Sequence, residues 1–431
     1  MPESLPSSTP LLVIGAGVHG LSTAWHAAQN GTTDVLVVDK TDVAAGASGI
    51  ACGVIRNNYF QPAMQELMAA CVEVWESDPE AFHYHASGYI ALGPPAQEED
   101  LVAVHERQQR IGYPSELVTG EQDVEKHMRA LYPDWRAPGL TVCLHERAGG
   151  YAFNRESMLG LADKARAAGA RIETGVAVTG FELDNSGAAA AVHTTAGDIE
   201  VEQVVVAVGP WIASLWEMLG LPDHLDVRQP DGTTQENLPM WTYWYLQEGE
   251  VDVDPAAFVT ADGSSSPVLH VDSDQPLRDD AGRLITTEPW GVYFKPDRTT
   301  VQGGAQPLTV GPEFEVDPYP TGTVEPGFPD MWSAALSHCL ERFEGSREKF
   351  RSVRSGGVGA FTVDNFPVLD YMRPNVFVAA DSNHGYKMIA IGREIARILQ
   401  GEHSSLLHPF RYERFQTGDL HPVSHSPYPW S

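Results

Sequence analysis

Cysteine is scarce in this sequence, and so are basic side chains. The four cysteines among 431 residues lie far apart and form no CxxC pair: Cys52, Cys71, Cys143 and Cys339. This spacing disfavours structural zinc and a disulfide framework, so we expect reduced thiols, no metal site and a cytoplasmic location. The 28 basic residues are outnumbered by 58 acidic ones, which gives a formal net charge of −30. Such a charge repels phosphate backbones and anionic lipid surfaces, so we expect neither a nucleic-acid partner nor a membrane partner.

Long apolar runs and a basic leader are also lacking. The longest apolar stretch, residues 204–219, is interrupted by Gly209-Pro210 and Glu217, and it is too short to span a bilayer. The N-terminal MPESLPSSTP carries an acidic residue and no basic cluster, which is unlike a secretory signal. The length and the 42% hydrophobic content instead predict a soluble globular protein of two or three domains.

A dinucleotide fingerprint stands at the start of the chain. The apolar run Leu11–Ile14 predicts a buried strand, residues 18–30 predict a helix, and Val35–Val38 predict a second strand that ends at Asp39. Between the first strand and the helix lies GAGVHG, residues 15–20. In this motif glycines allow a tight turn and a close approach to a pyrophosphate at the helix start, and an acid after the second strand binds ribose hydroxyls.

The rest of the chain divides by composition. Strands and helices alternate over residues 151–209, residues 84–147 are polar and Pro-punctuated with one strand candidate at 88–92, and residues 220–345 are rich in aromatics. We therefore predict an α/β fold (α+β overall), with a Rossmann-like dinucleotide-binding domain interleaved with a mixed-sheet substrate domain. The dinucleotide-binding domain would comprise 8–83, 148–219 and 346–415, and the substrate domain 84–147 and 220–345. Residues 416–431, which lack periodicity, are expected to form an exposed tail.

A second strand–turn–helix unit near the C-terminus distinguishes flavin from nicotinamide. The strand Val376–Ala380 leads into a polar turn ending in HGYK, residues 384–387, and then a helix over 389–399. A nicotinamide enzyme has no obvious use for this unit. In a flavoenzyme, a helix N-terminus aimed at the ring stabilises the negative charge that appears on reduction.

Four segments together resemble the D-amino-acid oxidase superfamily of FAD enzymes. They are GAGVHG with Asp39, GASG at 46–49, VAVGPW at 206–211 and NHGYK at 383–387, and residues 362–370 and 409–415 fit the same pattern. The sequence is most similar to the branch of sarcosine oxidase, dimethylglycine oxidase/dehydrogenase and glycine oxidase. The resemblance implies that the Rossmann-like domain is an FAD-binding domain. It also implies that FAD contacts a set of 14 residues: Gly15, Gly17, His19, Gly20, Asp39, Lys40, Gly46, Ser48, Val176, Gly209, Trp211, Gly385, Tyr386 and Lys387.

The same resemblance implies the reaction and its residues. Relatives oxidise a secondary or tertiary amine that bears a carboxylate, by hydride transfer to flavin, and Arg56 and Lys387 occupy the positions that bind this carboxylate. His384 either lies near the flavin edge or only completes a turn. Small amines or amino acids would be the substrates, with N-demethylation as the expected outcome. The alternatives are oxidative deamination of a primary amino acid and a flavin-binding subunit of a heteromeric amine dehydrogenase.

The sequence departs from the family in two ways, which concern the attachment of FAD and the electron acceptor. No cysteine lies near residues 356–360 and no histidine lies between His26 and His83, so FAD is expected to bind non-covalently. Valine stands at 301, roughly where short sarcosine oxidases place an oxygen-activating lysine. The nearby Lys295 either replaces it or, as we favour, is a surface lysine at a turn. The electron acceptor is therefore either oxygen or a carrier protein.

The aromatics at 241–245 and 290–294 also allow two interpretations. They either form a cage for a methylated ammonium group or, as we favour, fill an ordinary sheet core.

Overall fold

The structure is a computed structural model that describes residues 5–253, 258–305, 308–320, 324–352, 356–380, 384–426 and 428, with only the backbone of 308–309. The first residues of the predicted C-terminal turn, 381–383, lie outside this range. The helices of the described chain are Val18–Gln29, Pro62–Glu76, Glu98–Arg110, Glu121–Leu131, Asn154–Ala167, Ile212–Met218, Phe328–Cys339, Ile391–Leu399 and Arg414–Thr417. None of these is both long and apolar enough to cross a membrane.

The first sheet is built around parallel strands. In spatial order these are Arg171–Thr174, Val35–Asp39, Ser8–Ile14, Gly197–Val206 and Val376–Ala380. Antiparallel strands extend it, Val368–Arg373 beside the last of these and the hairpin Val178–Leu183/Ala189–Thr194 beside Gly197–Val206. The carboxyl ends of the parallel strands meet at one edge, which is where open α/β sheets bind ligands.

Both faces of the first sheet are covered, which explains why its strands are apolar without alternation. Leu11 and Val13 pack on one side with helices that include Val18–Gln29 and Ile391–Leu399. Leu12 and Ile14 point to the other side, into a cluster that contains Trp216 and Trp241. The predicted strand–helix–strand unit at residues 8–39 is present with boundaries close to those expected.

The second sheet supplies a long wall beside the first. Its eight strands run in the order Phe350–Arg351, Glu248–Asp252, Thr300–Ala305, Trp290–Asp297, Val268–Ser273, Tyr89–Gly93, Val142–Glu146 and Ser115–Thr119. All but the first come from the stretches assigned by sequence to the substrate domain, while the domain boundaries themselves stay a prediction. The smaller sheets are Leu308–Gly311/Thr242–Leu246/Gly357–Phe361, Val54–Ile55/Gly150–Ala152/Tyr84–His85, His224–Arg228/Thr234–Pro239 and Leu277–Arg278/Leu284–Thr286.

Two sequence interpretations differ from the structure. Residues 84–147 contain the helices Glu98–Arg110 and Glu121–Leu131, which were not predicted because each buries only a narrow apolar stripe. The C-terminal residues 420–426 are irregular and partly exposed, as expected, with Val423 at 83%, but some of them pack on the body of the protein and the segment is not a free arm. His421 is buried between the rings of Phe366 and Phe410.

The aromatic segments mostly fill the core. Trp241, Tyr243, Trp290 and Phe294 are buried, so the core interpretation applies to them. Trp244 is the exception within these runs, because its side chain lines a cavity described below.

Candidate active site

The backbone of the glycine turn after the first strand is in close contact with neighbouring backbone atoms. Gly15 has φ of +110°, and a Cβ there would lie 2.2 Å from the carbonyl oxygen of Ala207. A Cβ on Gly20 would lie 1.9 Å from the carbonyl oxygen of Gly15. The turn therefore requires glycine at both positions, because the helix start and the next strand end approach the backbone too closely for a side chain.

A cavity of about 410 Å³ opens at this turn, and we call it the glycine-turn cavity. Its lining includes residues from the carboxyl ends of three parallel strands, as the sheet topology requires. Twelve of the 14 residues predicted to bind the cofactor line it: Gly15, Gly17, His19, Asp39, Lys40, Gly46, Ser48, Val176, Gly209, Trp211, Gly385 and Tyr386. Gly20 serves the packing of the turn, and Lys387 points elsewhere.

Backbone groups hold the acid at the end of the second strand. The amide of Ala16 donates to Oδ2 of Asp39 at 2.9 Å, and the amide of Thr41 donates to Oδ1 at 2.8 Å. The carboxylate is thus fixed beside the glycine turn, on the wall of the cavity, and its role in binding a ribose stays a prediction.

The adjacent lysine has a carboxylate partner. Lys40 Nζ lies 2.5 Å from Oδ2 of Asp317 and 4.3 Å from the centre of the Trp211 ring, and the Trp211 indole donates to Asp317 at 2.9 Å. These contacts place Lys40 and Trp211 together at one end of the glycine-turn cavity.

The two turns singled out by sequence meet in space. Ser22 Oγ, in the first helix, donates to the carbonyl oxygen of Ile389 at 2.6 Å. A Cβ on Gly392 would come within 2.3 Å of the Ser22 backbone. The His19 ring hydrogen-bonds the backbone of Gly385, and burial lowers the pKa of His19 to about 4, so the ring is neutral. Its Nε2 is buried without a hydrogen-bond partner in the described chain, at the wall of the glycine-turn cavity.

A second cavity, of about 460 Å³, lies on the other side of the C-terminal turn. It is lined by Arg56, Tyr59 and His384 among others, and we call it the Arg56 cavity. The two cavities adjoin at this turn, because His384 lines one and Gly385 lines the other.

Tyr59 lies between two cations. Lys387 Nζ donates to its hydroxyl at 3.1 Å, and the guanidinium of Arg56 lies 5.0 Å from its ring centre. Burial alone would raise the pKa of Tyr59, but the charges of Lys387 and Arg56 outweigh it and lower that pKa below 10. Sequence analysis missed this tyrosine, although its spacing from Arg56 was visible.

His384 is held as a neutral ring in the same place. Burial, with the charges of Lys387 and Arg56, lowers the pKa of His384 well below 6.5. The ring packs against Tyr59 at 5.1 Å and Phe366 at 5.5 Å, and Nδ1 has no partner in the described residues. The structure thus brings together Arg56, His384 and Lys387, the three residues proposed for catalysis.

A chain of hydrogen bonds runs from Arg56 away from Tyr59. Arg56 Nη1 donates to Tyr89 Oη at 2.7 Å, and Tyr89 Oη lies 2.6 Å from Nδ1 of His270. His270 Nε2 lies 3.1 Å from Oδ1 of Asp272, whose Oδ2 accepts from Gln97 at 2.6 Å. Since the Asp272 carboxylate accepts, the proton of a neutral His270 ring sits on Nε2, and Nδ1 then accepts from the Tyr89 hydroxyl. Burial raises the pKa of Tyr89, which keeps this donor protonated.

The residue after Arg56 is anchored by a buried acid. The amide of Asn57 donates to Glu146 at 2.9 Å, and Gln108 donates to its other oxygen at 2.6 Å. Burial raises the pKa of Glu146 from 4.5 to about 7 despite these donors. Glu146 thus holds the backbone next to Arg56 and has a pKa in the neutral range.

The favoured interpretation of Lys295 is wrong. Lys295 is 1% exposed, in a strand rather than a surface turn, and its ammonium pairs with Asp297 at 3.0 Å. The ammonium also lies 5.1 Å from the centre of the Tyr151 ring. The ion pair and the ring face make burial of this charge tolerable.

Comparison with known proteins gives the family. A sequence model of the family described as FAD dependent oxidoreductase (DAO) matches residues 11–398, most of the chain. The chain belongs to this family. The match confirms the predicted resemblance and the predicted cofactor, FAD, and identifies the chain as an FAD-dependent oxidoreductase.

Individual relatives of this DAO family chain are distant. Human peroxisomal sarcosine oxidase is 24% identical over 53% of this chain and 56% of its own length. Sarcosine oxidase subunit beta of Rhizobium meliloti is 27% identical over 49% of this chain and 52% of its own length. The matches thus span about half the length of these relatives. The solved L-proline dehydrogenase of P. horikoshii superposes with a TM-score of 0.76, at 19% identity, over 96% of this chain and all of that one, which confirms the α/β fold.

The glycine-turn cavity fits the family's cofactor. It offers the helix start and Asp39 for a pyrophosphate and a ribose, and it contains a buried imidazole nitrogen that lacks a protein partner. Gly15, Gly17, Gly46 and Ser48 are the residues that would hold FAD at the phosphate end. Non-covalent attachment stays a prediction.

Proposed function

We propose that this chain oxidises a secondary or tertiary amine that carries a carboxylate. The observation that supports this most is the pair of cations, Arg56 and Lys387, on either side of Tyr59 at the turn where the two cavities adjoin. Two fixed positive charges in a chain with a net charge of −30 create a local site for an anionic group. The names of the sarcosine oxidase relatives agree with this proposal.

Bound FAD supplies the hydride acceptor, and the protein's own residues present the substrate to it. Arg56 and Lys387 would bind the substrate carboxylate, which fixes the amine on the cavity side of the C-terminal turn. His384, as a neutral ring with an unpaired Nδ1, adds a hydrogen-bonding atom without adding charge.

The amine must lose its proton before the carbon beside nitrogen can give up hydride. We propose Tyr59 as the acceptor of this proton, since its two cationic neighbours favour the phenolate. Loss of hydride from that carbon then leaves an iminium, which adds water and breaks its C–N bond. An N-methyl substrate yields the demethylated amine and formaldehyde.

The test is anaerobic reduction of the FAD-loaded chain with a panel of amines, followed by product analysis. N-methyl amino acids should bleach the flavin and release formaldehyde, and amines without a carboxylate should bind at least about tenfold more weakly, a loss of about 1.4 kcal/mol. Release of ammonia from primary amino acids, without formaldehyde, would replace the proposal by oxidative deamination. No bleaching by any amine until a partner protein is added would support the heteromeric-subunit alternative.

A further inference from the structure

Residues 420–426 lie against the Arg56 cavity, and we call them the C-terminal wall. They follow Gly418, whose positive φ of +85° ends the last helix and redirects the chain. The buried Leu92 and Leu101 line the same cavity. Six residues of the wall line it: Leu420, His421, Pro422, Val423, Ser424 and Ser426.

Hydrogen bonds attach the C-terminal wall at several points. Gln61 Nε2 donates to the carbonyl oxygen of Pro422 at 3.0 Å. Asp100 accepts from the amide of His425 at 2.8 Å and lies 2.7 Å from its ring Nδ1. Asp100 is buried, and a buried carboxylate that accepts two hydrogen bonds holds its donors in a defined place.

The same wall is connected to the substrate-binding arginine. Gln97 Nε2 lies within hydrogen-bond distance of both Ser426 Oγ, at 3.2 Å, and Asp272, at 2.6 Å. Asp272 is the last member of the chain that begins at Arg56. One end of the C-terminal wall, Ser426, is therefore connected through Gln97 to the side chains that position the guanidinium.

The Arg56 cavity is large for N-methylglycine, the smallest N-methyl amino acid. Cavities of about 300–1,000 Å³ hold drug-sized ligands, and this one measures about 460 Å³. Its lining away from Arg56 includes the apolar side chains of Leu92, Leu101, Trp244 and Phe361. N-methylglycine would leave this apolar part in contact with water.

We infer that the C-terminal wall determines substrate size, and that the substrate is an N-alkylated amino acid with a bulky apolar or aromatic side chain. The inference rests on the proposed function for the carboxylate and the amine. Arg56 binds the carboxylate at one end, and the side chain extends between the C-terminal wall and the apolar residues opposite.

The first test measures binding rather than turnover. Calorimetry on the FAD-loaded full chain compares acetate with 3-phenylpropanoate, two carboxylates that differ in apolar size. Burial of the phenyl ring should make the larger acid bind about tenfold to a hundredfold more tightly. Hydrogen exchange on the unaltered protein should show protection of the amides of 420–426 by 3-phenylpropanoate and not by acetate.

Two full-chain variants test whether the preference for the larger acid depends on the C-terminal wall. Ser424→Trp adds bulk to the C-terminal wall, and Asp100→Ala removes its anchor; each should abolish most of the preference for the larger acid and change acetate binding less than about twofold. Gln416→Ala, at an exposed position outside the cavity, is the matched control and should change neither.

The outcomes separate this inference from the proposed function. An unchanged preference in both variants, equal losses for both acids, or no ligand-specific protection of 420–426 would overturn the role of the C-terminal wall. Exchange on the unaltered protein decides the matter if a variant fails to retain FAD. Size-dependent binding without flavin reduction by any N-methyl amino acid would instead overturn the proposed function, and with it the N-alkylated amine, while the role of the C-terminal wall in selecting ligand size would stand.

Discussion

Removal of the Tyr89 hydroxyl tests how Arg56 is positioned. Tyr89→Phe deletes the oxygen that accepts from Arg56 Nη1 at 2.7 Å and that contacts His270 Nδ1 at 2.6 Å. The aromatic ring, and its packing in the second sheet, remain. The substitution therefore acts on the hydrogen-bond chain and leaves the core intact.

The magnitude follows from the charge on the donor. A hydrogen bond to a charged group contributes about 1.5–3 kcal/mol, which corresponds to a factor of about 10 to 150 in affinity. Arg56 Nη1 also lies 3.4 Å from His270 Nδ1 and is able to move toward it. We therefore expect the lower end, about a tenfold weaker binding of a carboxylate-bearing amine.

The assay is anaerobic stopped-flow reduction of the flavin over a range of substrate concentrations. The dissociation constant should rise about tenfold while the limiting rate of reduction changes less than about threefold, because the tyrosine acts through the arginine. An amine of similar size without a carboxylate should be unaffected by the substitution.

Tyr132→Phe is the matched control. Tyr132 is buried and its hydroxyl lies 2.5 Å from Ser266 Oγ, outside the lining of the Arg56 cavity. It should cost similar stability and leave the dissociation constant unchanged. A Tyr89→Phe protein with normal carboxylate affinity, or one whose limiting rate falls while its affinity holds, would refute the positioning argument.

Three further predictions address the cofactor, oxygen and pH. Gly20→Ala places a Cβ 1.9 Å from the Gly15 carbonyl oxygen, so FAD binding, measured by fluorescence titration, should weaken at least about tenfold; Gly180→Ala, whose Cβ meets only an ordinary contact at 3.5 Å, should bind FAD normally. Lys295→Met combined with Asp297→Asn should slow reoxidation of the reduced flavin by air if oxygen is the acceptor, with anaerobic reduction unchanged; equal reoxidation rates would exclude the lysine from that step. Glu146 has a pKa of about 7 in the folded protein and 4.5 in the unfolded chain, so the folded state binds its proton more tightly. Its contribution to the free energy of unfolding, about 3 kcal/mol, is complete below pH 4.5 and is lost as the pH rises through 7. Glu146→Gln should reduce the difference between the free energies of unfolding measured in urea at pH 5 and pH 8.

The cofactor end of the molecule was predictable because its signals are local. The strand, the glycine turn, the helix and Asp39 lie within residues 8–39, and each has a composition that few other structures share. The second turn, 384–387, was linked to the first through the resemblance to a family, and contacts such as that of Ser22 with Ile389 place the two turns side by side.

The substrate end was only partly predictable, since long-range contacts build it. Tyr89 and His270 are 181 positions apart, and nothing near either residue indicates that they share a hydrogen bond. Lys295 was misassigned because a charged residue beside a proline resembles a turn, whereas an ion pair and a ring face stabilise it inside a strand. The packing of residues 420–426 depends on partners such as Asp100, far away in sequence.

The close contact between Ser22 and Gly392 has a consequence for the order in which the protein folds and binds its cofactor. The first helix cannot complete its surroundings until the last helix lies against it, and more than three hundred residues of chain separate the two. During synthesis on the ribosome, the glycine turn emerges well before the last helix that packs against it. Gly385 and Tyr386 line the same cavity as the glycine turn, so we expect FAD to bind only after this late segment has folded. A chain that ends before residue 385 is expected to bind no FAD.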